Sequence, residues 1–262
     1  MLYYVSDIHV EHKIDFDALP DEMPEEEFGK IIASITDKVF ASTMPHNPDD
    51  YLLIAGDTCE NTHIGHYFFG QLVRLWKADH IIVVLGNHEM WIPEQSWKDE
   101  KETVKTNLKS VMSSWRNVFD EFGIIMLQNE AVELPELNAV VLGGVGFSGQ
   151  NEYFNASNGL YLKTLTSKNQ DRYQSRLFDC LYKKTVQQCV AENKKLIVLT
   201  HNPWSDWHNG NIESENTSIP VVYIAGHTHR NRKRKVAGKD FMEDCQIGYP
   251  VRENYVIKRF SI

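Results

Sequence analysis

The 262-residue chain lacks the means for a disulfide framework, a zinc ribbon or a membrane span. Its four cysteines, Cys59, Cys180, Cys189 and Cys245, show no C-x-x-C spacing, so neither paired thiolates for a metal ribbon nor a ladder of staples is suggested. No apolar run approaches the roughly 20 residues that a membrane helix needs. The opening "MLYYVSDIH" shows no basic region and no long apolar segment; no signal peptide is read there, and a reduced, cytoplasmic setting is expected. Positive charge is also scarce. Lys and Arg number 27 against 36 Asp and Glu, a formal net charge of −9. Duplex-DNA binding rests on Lys and Arg at the phosphates, and one local run, "RNRKRK" at 230–235, goes against the general balance. Internal repeats and low-complexity linkers are missing too, and one domain over 1–262 is expected.

What is there is a series of short, β-branched apolar runs bounded by turn residues: "LYYV" (2–5), "YLLIA" (51–55), "IIVVL" (81–85), "GIIML" (123–127), "AVVLGGVGF" (139–147), "LIVLT" (196–200) and "VVYIA" (221–225). Continuous rather than alternating, they read as central strands covered on both faces. The tail, "FMEDCQIGY" and "NYVIKRFSI", alternates more and reads as antiparallel strands. Helical spacing lies between. Phe28, Ile31, Ile32, Ile35 and Val39 form one stripe, Leu177, Leu181, Val186 and Val190 another within 171–193, and 96–122 reads as one or two further helices. Strands alternating with helices predict an α/β layered fold. The polar stretch 148–169 reads as a long loop, with Tyr153, Phe154 and Tyr161 expected to border the site.

Chemistry-bearing residues sit where strands stop. Asp7 and His9 follow "LYYVS", Asp57 follows "YLLIAG", Asn87, His88 and Glu89 follow "IIVVLG", His201 follows "LIVLT", and His227 and His229 follow "VVYIAG". Ligands in open α/β sheets collect at the carboxyl ends of strands, so five strands aim carboxylates, imidazoles and an amide at one rim. In extended backbone residues i and i+2 point the same way, which pairs Asp7 with His9 and His227 with His229. A glycine before Asp57, Asn87 and His227 permits a sharp turn and close backbone approach. Oxygen and imidazole donors suit Mn, Fe or Zn. Structural zinc sites are closed by four Cys and His ligands, and the donor set here is larger than that.

The order D-x-H, G-D, G-N-H-E, H, G-H-x-H resembles the signature of the calcineurin-like metallophosphoesterases, and spans Asp7 to His229. The surroundings "SDIHVEH", "VVLGNHEMW", "LTHNPW" and "GYPVREN" look most like small bacterial-type members. The resemblance implies a four-layer α/β/β/α sandwich of the metallo-dependent phosphatase type and two divalent metal ions. Asp7, His9, Asp57 and His229 would hold the first ion; Asp57, Asn87, His201 and His227 the second, with Asp57 bridging. His88 would meet the substrate phosphate unligated and protonate the leaving group, oriented by Glu60. A hydroxide bridging the ions would hydrolyse a phosphate monoester or diester. The protein-phosphatase branch carries G-D-x-V-D-R-G where this chain has "GDTCENT", with Glu60 and Asn61 at the places of the second aspartate and the arginine, which argues against a phosphoprotein substrate.

Two alternatives stand beside this reading. A nuclease or cyclic-nucleotide phosphodiesterase would use nucleic acid or a nucleotide as substrate and the 230–235 run as a phosphate contact; otherwise that run is a solvated turn between strands. A non-catalytic scaffold of the same fold would have lost ligands, and none is lost. His12 lies within chain reach of the rim. His63, His66, His80 and His208 are expected at the surface or in support, and Cys59 in packing.

Overall fold

A computed structural model of the chain describes residues 1–20, 22–40, 47, 49–91, 108–150, 168–212, 217–253 and 255–262. Two sheets form its centre. In the first, β1 (Leu2–Val5), β2 (Tyr51–Ala55), β3 (Ile81–Val84) and β4 (Ile125–Met126) run parallel, and β11 (Lys258–Phe260) pairs antiparallel with β1, giving the order β11-β1-β2-β3-β4. In the second, β5 (Glu130–Leu134), β6 (Ala139–Gly144), β7 (Lys195–Thr200), β8 (Val221–Ile224), β10 (Lys239–Glu243) and β9 (Arg232–Val236) are neighbours in that order. Its inner four strands are mutually parallel, while the edge strands β5 and β9 are antiparallel.

Helices close both outer faces. Ile32, Val39 and Phe40 of α1 (Glu25–Phe40), Ile64, Phe68 and Phe69 of α2 (Thr62–Leu72), and Trp115 and Phe119 of α3 (Leu108–Phe122) share one apolar core with the first sheet. The second sheet divides its side chains by the two-residue period of a strand. Val141, Ile197, Leu199, Val222, Ile224 and Met242 join that central core. Val140, Leu142, Leu196, Val198, Val221, Tyr223 and Phe241 face a second core with Phe178, Tyr182 and Cys189 of α4 (Lys168–Glu192) and Trp207 of α5 (Trp204–Trp207). The result is the expected four-layer α/β/β/α sandwich. Among the described residues no helix is long and apolar enough to cross a membrane.

Local chemistry sets the helix starts. Glu25, Glu26 and Glu27 fill the first turn of α1, where the helix dipole favours negative charge. Asn61 caps α2, its side-chain oxygen accepting from Ile64 N at 2.9 Å.

Several expectations need correction. The stripe Leu177, Leu181, Val186, Val190 is only half right: Leu181 and Val186 are partly buried against the second core, but Leu177 is 41% and Val190 40% exposed, while Asp171, Ser175, Phe178, Tyr182, Thr185 and Cys189 are among the buried residues of α4. Aromatic and small polar residues fill the centre of the face over the second sheet, with Leu181 and Val186 at its margin, so hydrophobicity alone placed the buried face off its true centre. The 230–235 run is no turn; its residues from Arg232 on belong to edge strand β9. In the tail, β10 is antiparallel to β9 and β11 to β1, as expected, but β10 also runs parallel to β8, because the chain crosses over through β9 to reach it. His80 and His208 are buried rather than superficial: the His80 ring stacks on Tyr51 at 4.2 Å between centroids, and His208 Nδ1 meets Asp179 Oδ1 at 2.5 Å. Of the proposed 148–169 loop, residues 151–167 lie outside the described residues, and Lys168 and Asn169 already belong to α4; of the 96–122 helical stretch, 96–107 lie outside the described residues too.

Candidate metal centre

Five strand ends converge. The turns after β1, β2, β3, β7 and β8 bring Asp7, His9, Asp57, Asn87, His88, His201, His227 and His229 to one rim where the two sheets meet. His201 Nε2, from the second sheet, lies 2.9 Å from Asn87 Oδ1 and 3.3 Å from Asp57 Oδ2, both from the first. His227 Nδ1 is 2.9 Å from the same Asn87 oxygen. On the other side of Asp57, His9 Nε2 is 3.8 Å from Oδ2 and 3.2 Å from His229 Nε2, which is itself 3.2 Å from Asp7 Oδ1. Donors that share one ion at about 2.0–2.3 Å stand about 3–4 Å from one another, the spacing seen on both sides.

The backbone reaches this arrangement by strain. Asp7, His9, Asp57, His227 and His229 all take left-handed conformations, with φ of 53°, 47°, 51°, 70° and 51°. Each costs a non-glycine residue about 1–3 kcal/mol. Asp7 and His9 therefore meet through successive tight turns, not through the i, i+2 geometry of an extended strand. Glycines make the approach possible: a Cβ on Gly86 would overlap Asp57 Oδ1, and one on Gly226 would overlap Asp7 Oδ2.

Polar atoms around the donors hold them in place. Glu89 accepts from Gly86 N at 2.7 Å, Thr58 N at 2.6 Å and Asp57 N at 3.1 Å, tying the turn after β2 to the turn after β3. Asp57 Oδ1 accepts from His88 N at 2.9 Å. Asp7 accepts from His227 N at 2.9 Å. Gln246 Oε1 accepts from His229 N at 2.5 Å. Glu11 is buried, and neither of its carboxylate oxygens has a hydrogen bond. Its Oε1 faces His9 Nδ1 at 3.5 Å and His88 Nδ1 at 3.8 Å. Sequence reading passed over Glu11, Gln246 and the role of Glu89. Glu89 stood in the G-N-H-E motif, and Glu11 was the acidic residue in "DIHVEH" two positions past His9; Gln246 left no such signal.

Electrostatics favour cations here. His201 Nδ1 donates to Ala55 O at 2.9 Å, since a carbonyl only accepts. The opposite nitrogen then points at the oxygens of Asn87 and Asp57, which calls for a proton or a metal ion between them. Burial lowers the His201 pKa, but the charges of Asp57 and Asp7 raise it overall to about 9. Burial lowers His9 to about 3 and His227 to about 4, which leaves both rings neutral with lone pairs to donate. Burial would raise Asp57, but His201 and His88 hold it well below the usual carboxylate range. His88 is raised: burial opposes its charge, and Asp57 together with the Glu60 hydrogen bond outweighs burial. Burial pushes Glu11 up to about 8, outweighing the opposing pull of the His88 ring.

Among the described residues, His, Asp and Glu donors gather into four overlapping groups: Asp7, His9 and His229; Asp7, Asp57 and His201; His9, Asp57 and His88; and Glu11, His12, Glu60 and His88. Glu60 Oε1 is 3.4 Å from His88 Nδ1. His12, 43% exposed along its side chain, is 3.9 Å from Glu60. Cys59 belongs to no group; it is fully buried, and burial pushes its thiol well above the usual range.

A family model described as calcineurin-like phosphoesterase matches residues 2–231. The chain belongs to the calcineurin-like phosphoesterases. No curated protein matches it by sequence. In fold, this phosphoesterase is similar to the phosphopantetheinyl hydrolase PptH from Mycobacterium tuberculosis, with a TM-score of 0.63, 17% identity, and coverage of 95% of this chain and 89% of that one. A weaker likeness, TM-score 0.45 and 12% identity, links it to the sulfate thiohydrolase SoxB of Thermus thermophilus, covering 94% of this chain and 52% of that one. At these identities the likeness is one of fold. The family is one of metal-dependent hydrolases, and the Asp and His groups of this phosphoesterase are suited to divalent ions.

Proposed function

We propose that the protein hydrolyses a phosphate monoester or diester with two divalent ions, Mn, Fe or Zn, sharing Asp57. Asp7, His9, Asp57 and His229 would hold the first ion, and Asp57, Asn87, His201 and His227 the second. One observation carries the reading: Asp57 Oδ2 stands 3.8 Å from His9 Nε2 and 3.3 Å from His201 Nε2, so a single carboxylate belongs to both donor sets. When bound, such ions supply a water acidified to a pKa of about 7 and neutralise charge on the phosphoryl group.

The chain's own residues supply the rest. His88 lies beside Asp57 without belonging to either set. Its Nε2 faces the centre, 3.9 Å from Asp57 Oδ2, and donates a proton to the departing oxygen. Glu60 holds the other nitrogen and favours the protonated ring. The nuclease reading draws less support. Arg232 and Arg234 share Glu243 at 2.7 and 3.5 Å, and Lys235 faces Asp240 at 3.7 Å, so two carboxylates of the same sheet offset part of the basic run.

The test is Asp57→Asn. Loss of both ions by metal analysis and loss of hydrolysis across a panel of monoesters, diesters and nucleotides is the expected result. A variant with two bound ions and normal turnover would refute the shared carboxylate. Turnover of oligonucleotides that falls steeply with salt would favour the nuclease reading.

A further inference from the structure

We propose that Tyr249 is a substrate-contacting residue of this centre, its hydroxyl and His88 Nε2 forming a two-point hydrogen-bonding contact for the phosphoryl group. The inference rests on the phosphoesterase reading above. The Tyr249 hydroxyl lies 3.4 Å from His88 Nε2, the nitrogen turned toward Asp57. Its ring lies across the centre, with its centroid 4.5 Å from that of His9, 4.6 Å from His12 and 4.7 Å from His229. Yet the residue is 42% exposed. Tyr249 thus covers the His9 and His229 side of the donor set while keeping a solvent-exposed face. A phenol can give one hydrogen bond to a phosphoryl oxygen without adding charge.

This placement is built into the backbone. Ser6 N donates to Cys245 O at 3.0 Å, Ile247 N to Ser6 O at 3.0 Å, and Gly248 N to Asp7 O at 2.7 Å. Lys13 Nζ, reaching from the 3-10 turn Val10–Lys13, donates to Gly248 O at 2.9 Å. Residues 245–248 are thereby zipped to the segment that carries Asp7 and His9, and Tyr249 is held in register with the site. The family match ends at residue 231. Tyr249 is therefore brought to the shared centre by a part of the chain outside the shared pattern, where differences in substrate choice belong.

The experiment uses inorganic phosphate as the probe. Its affinity is measured calorimetrically on the Mn-loaded wild type, Tyr249→Phe, His88→Ala and the double variant, with metal content and steady-state kinetics alongside. Tyr249→Phe keeps the ring and removes only the hydroxyl. It should bind phosphate about tenfold more weakly and raise KM, at unchanged metal content, and the same loss should persist in the His88→Ala background. Unchanged phosphate affinity in Tyr249→Phe overturns the inference. So does a loss that vanishes when His88 is absent, because Tyr249 would then act only by orienting that ring. A wild type inactive on every ester removes the phosphoesterase reading and the inference with it; an active wild type with an unaffected Tyr249→Phe removes the inference alone.

Discussion

His88 has different neighbours on its two ring nitrogens, and that asymmetry makes its role testable. Nδ1 faces Glu60 at 3.4 Å and Glu11 at 3.8 Å, while Nε2 faces Asp57 and Tyr249. A proton donor contributes about 10²–10⁴ in rate, and matters least when the leaving group is stable as an anion. His88→Ala should slow alkyl esters far more than nitrophenyl esters with both ions retained, and Glu60→Gln should show the same ranking more mildly. Equal losses on both ester types would leave His88 the phosphate contact only, without proton donation. Glu11 makes a separate case. Its carboxylate is buried against the Nδ1 sides of His9 and His88 without a hydrogen bond. Outer partners of metal-ligating histidines are worth about 10–100-fold in metal affinity or activity, so Glu11→Gln should weaken Mn binding by about tenfold or more in a titration; an unaltered binding curve would leave Glu11 a packing role only.

At the scale of elements, α4 is where sequence pattern and structure part. Its outward Leu177 and Val190 follow helical spacing as well as the inward Phe178, Tyr182 and Cys189 do. Phe178 packs edge-on against Trp207 at 4.8 Å between centroids. Phe178→Ala should therefore cost about 3–5 kcal/mol, whereas Leu177→Ala should stay within about 0.5 kcal/mol. Denaturant unfolding of the two variants checks the assignment, and a reversed ranking would restore the apolar stripe as the buried face. β1, β2 and β3 of the first sheet were plain in the sequence because every residue in them is buried, so each is an unbroken apolar run. β5 was not legible: "EAVEL" is largely exposed and lies on a sheet edge, where hydrophobic patterning is weak.

At the scale of the whole molecule, the centre joins the two sheets. Asp7, His9, Asp57 and Asn87 come from the first, and His201, His227 and His229 from the second, so any ion bound by both sets fastens one sheet to the other. A ligand that binds only the folded state stabilises by about 2.7 kcal/mol at a hundred times its dissociation constant. Excess Mn should raise Tm over a chelator-treated sample, and the rise should shrink in Asp57→Asn. A Tm indifferent to Mn and chelator would show that the sheets hold together without help from the centre.

The sequence alone determined which residue types stand at the ends of five strands, and hence the family, the layered α/β class and the donor set. Those features are local: a β-branched run, a glycine and a polar residue are read within a few positions of each other. Tertiary structure decided how the donors meet. Asp7 and His9 converge by left-handed turns rather than by strand alternation. Glu11 and Gln246 become partners of the site only because burial and the Ser6–Gln246 bridge bring them there. Tyr249 lies 161 positions from His88 along the chain. No periodicity links residues so far apart, because their proximity is created when the C-terminal segment pairs with the loop after β1, and pairing of that kind depends on the folded backbone rather than on neighbouring sequence.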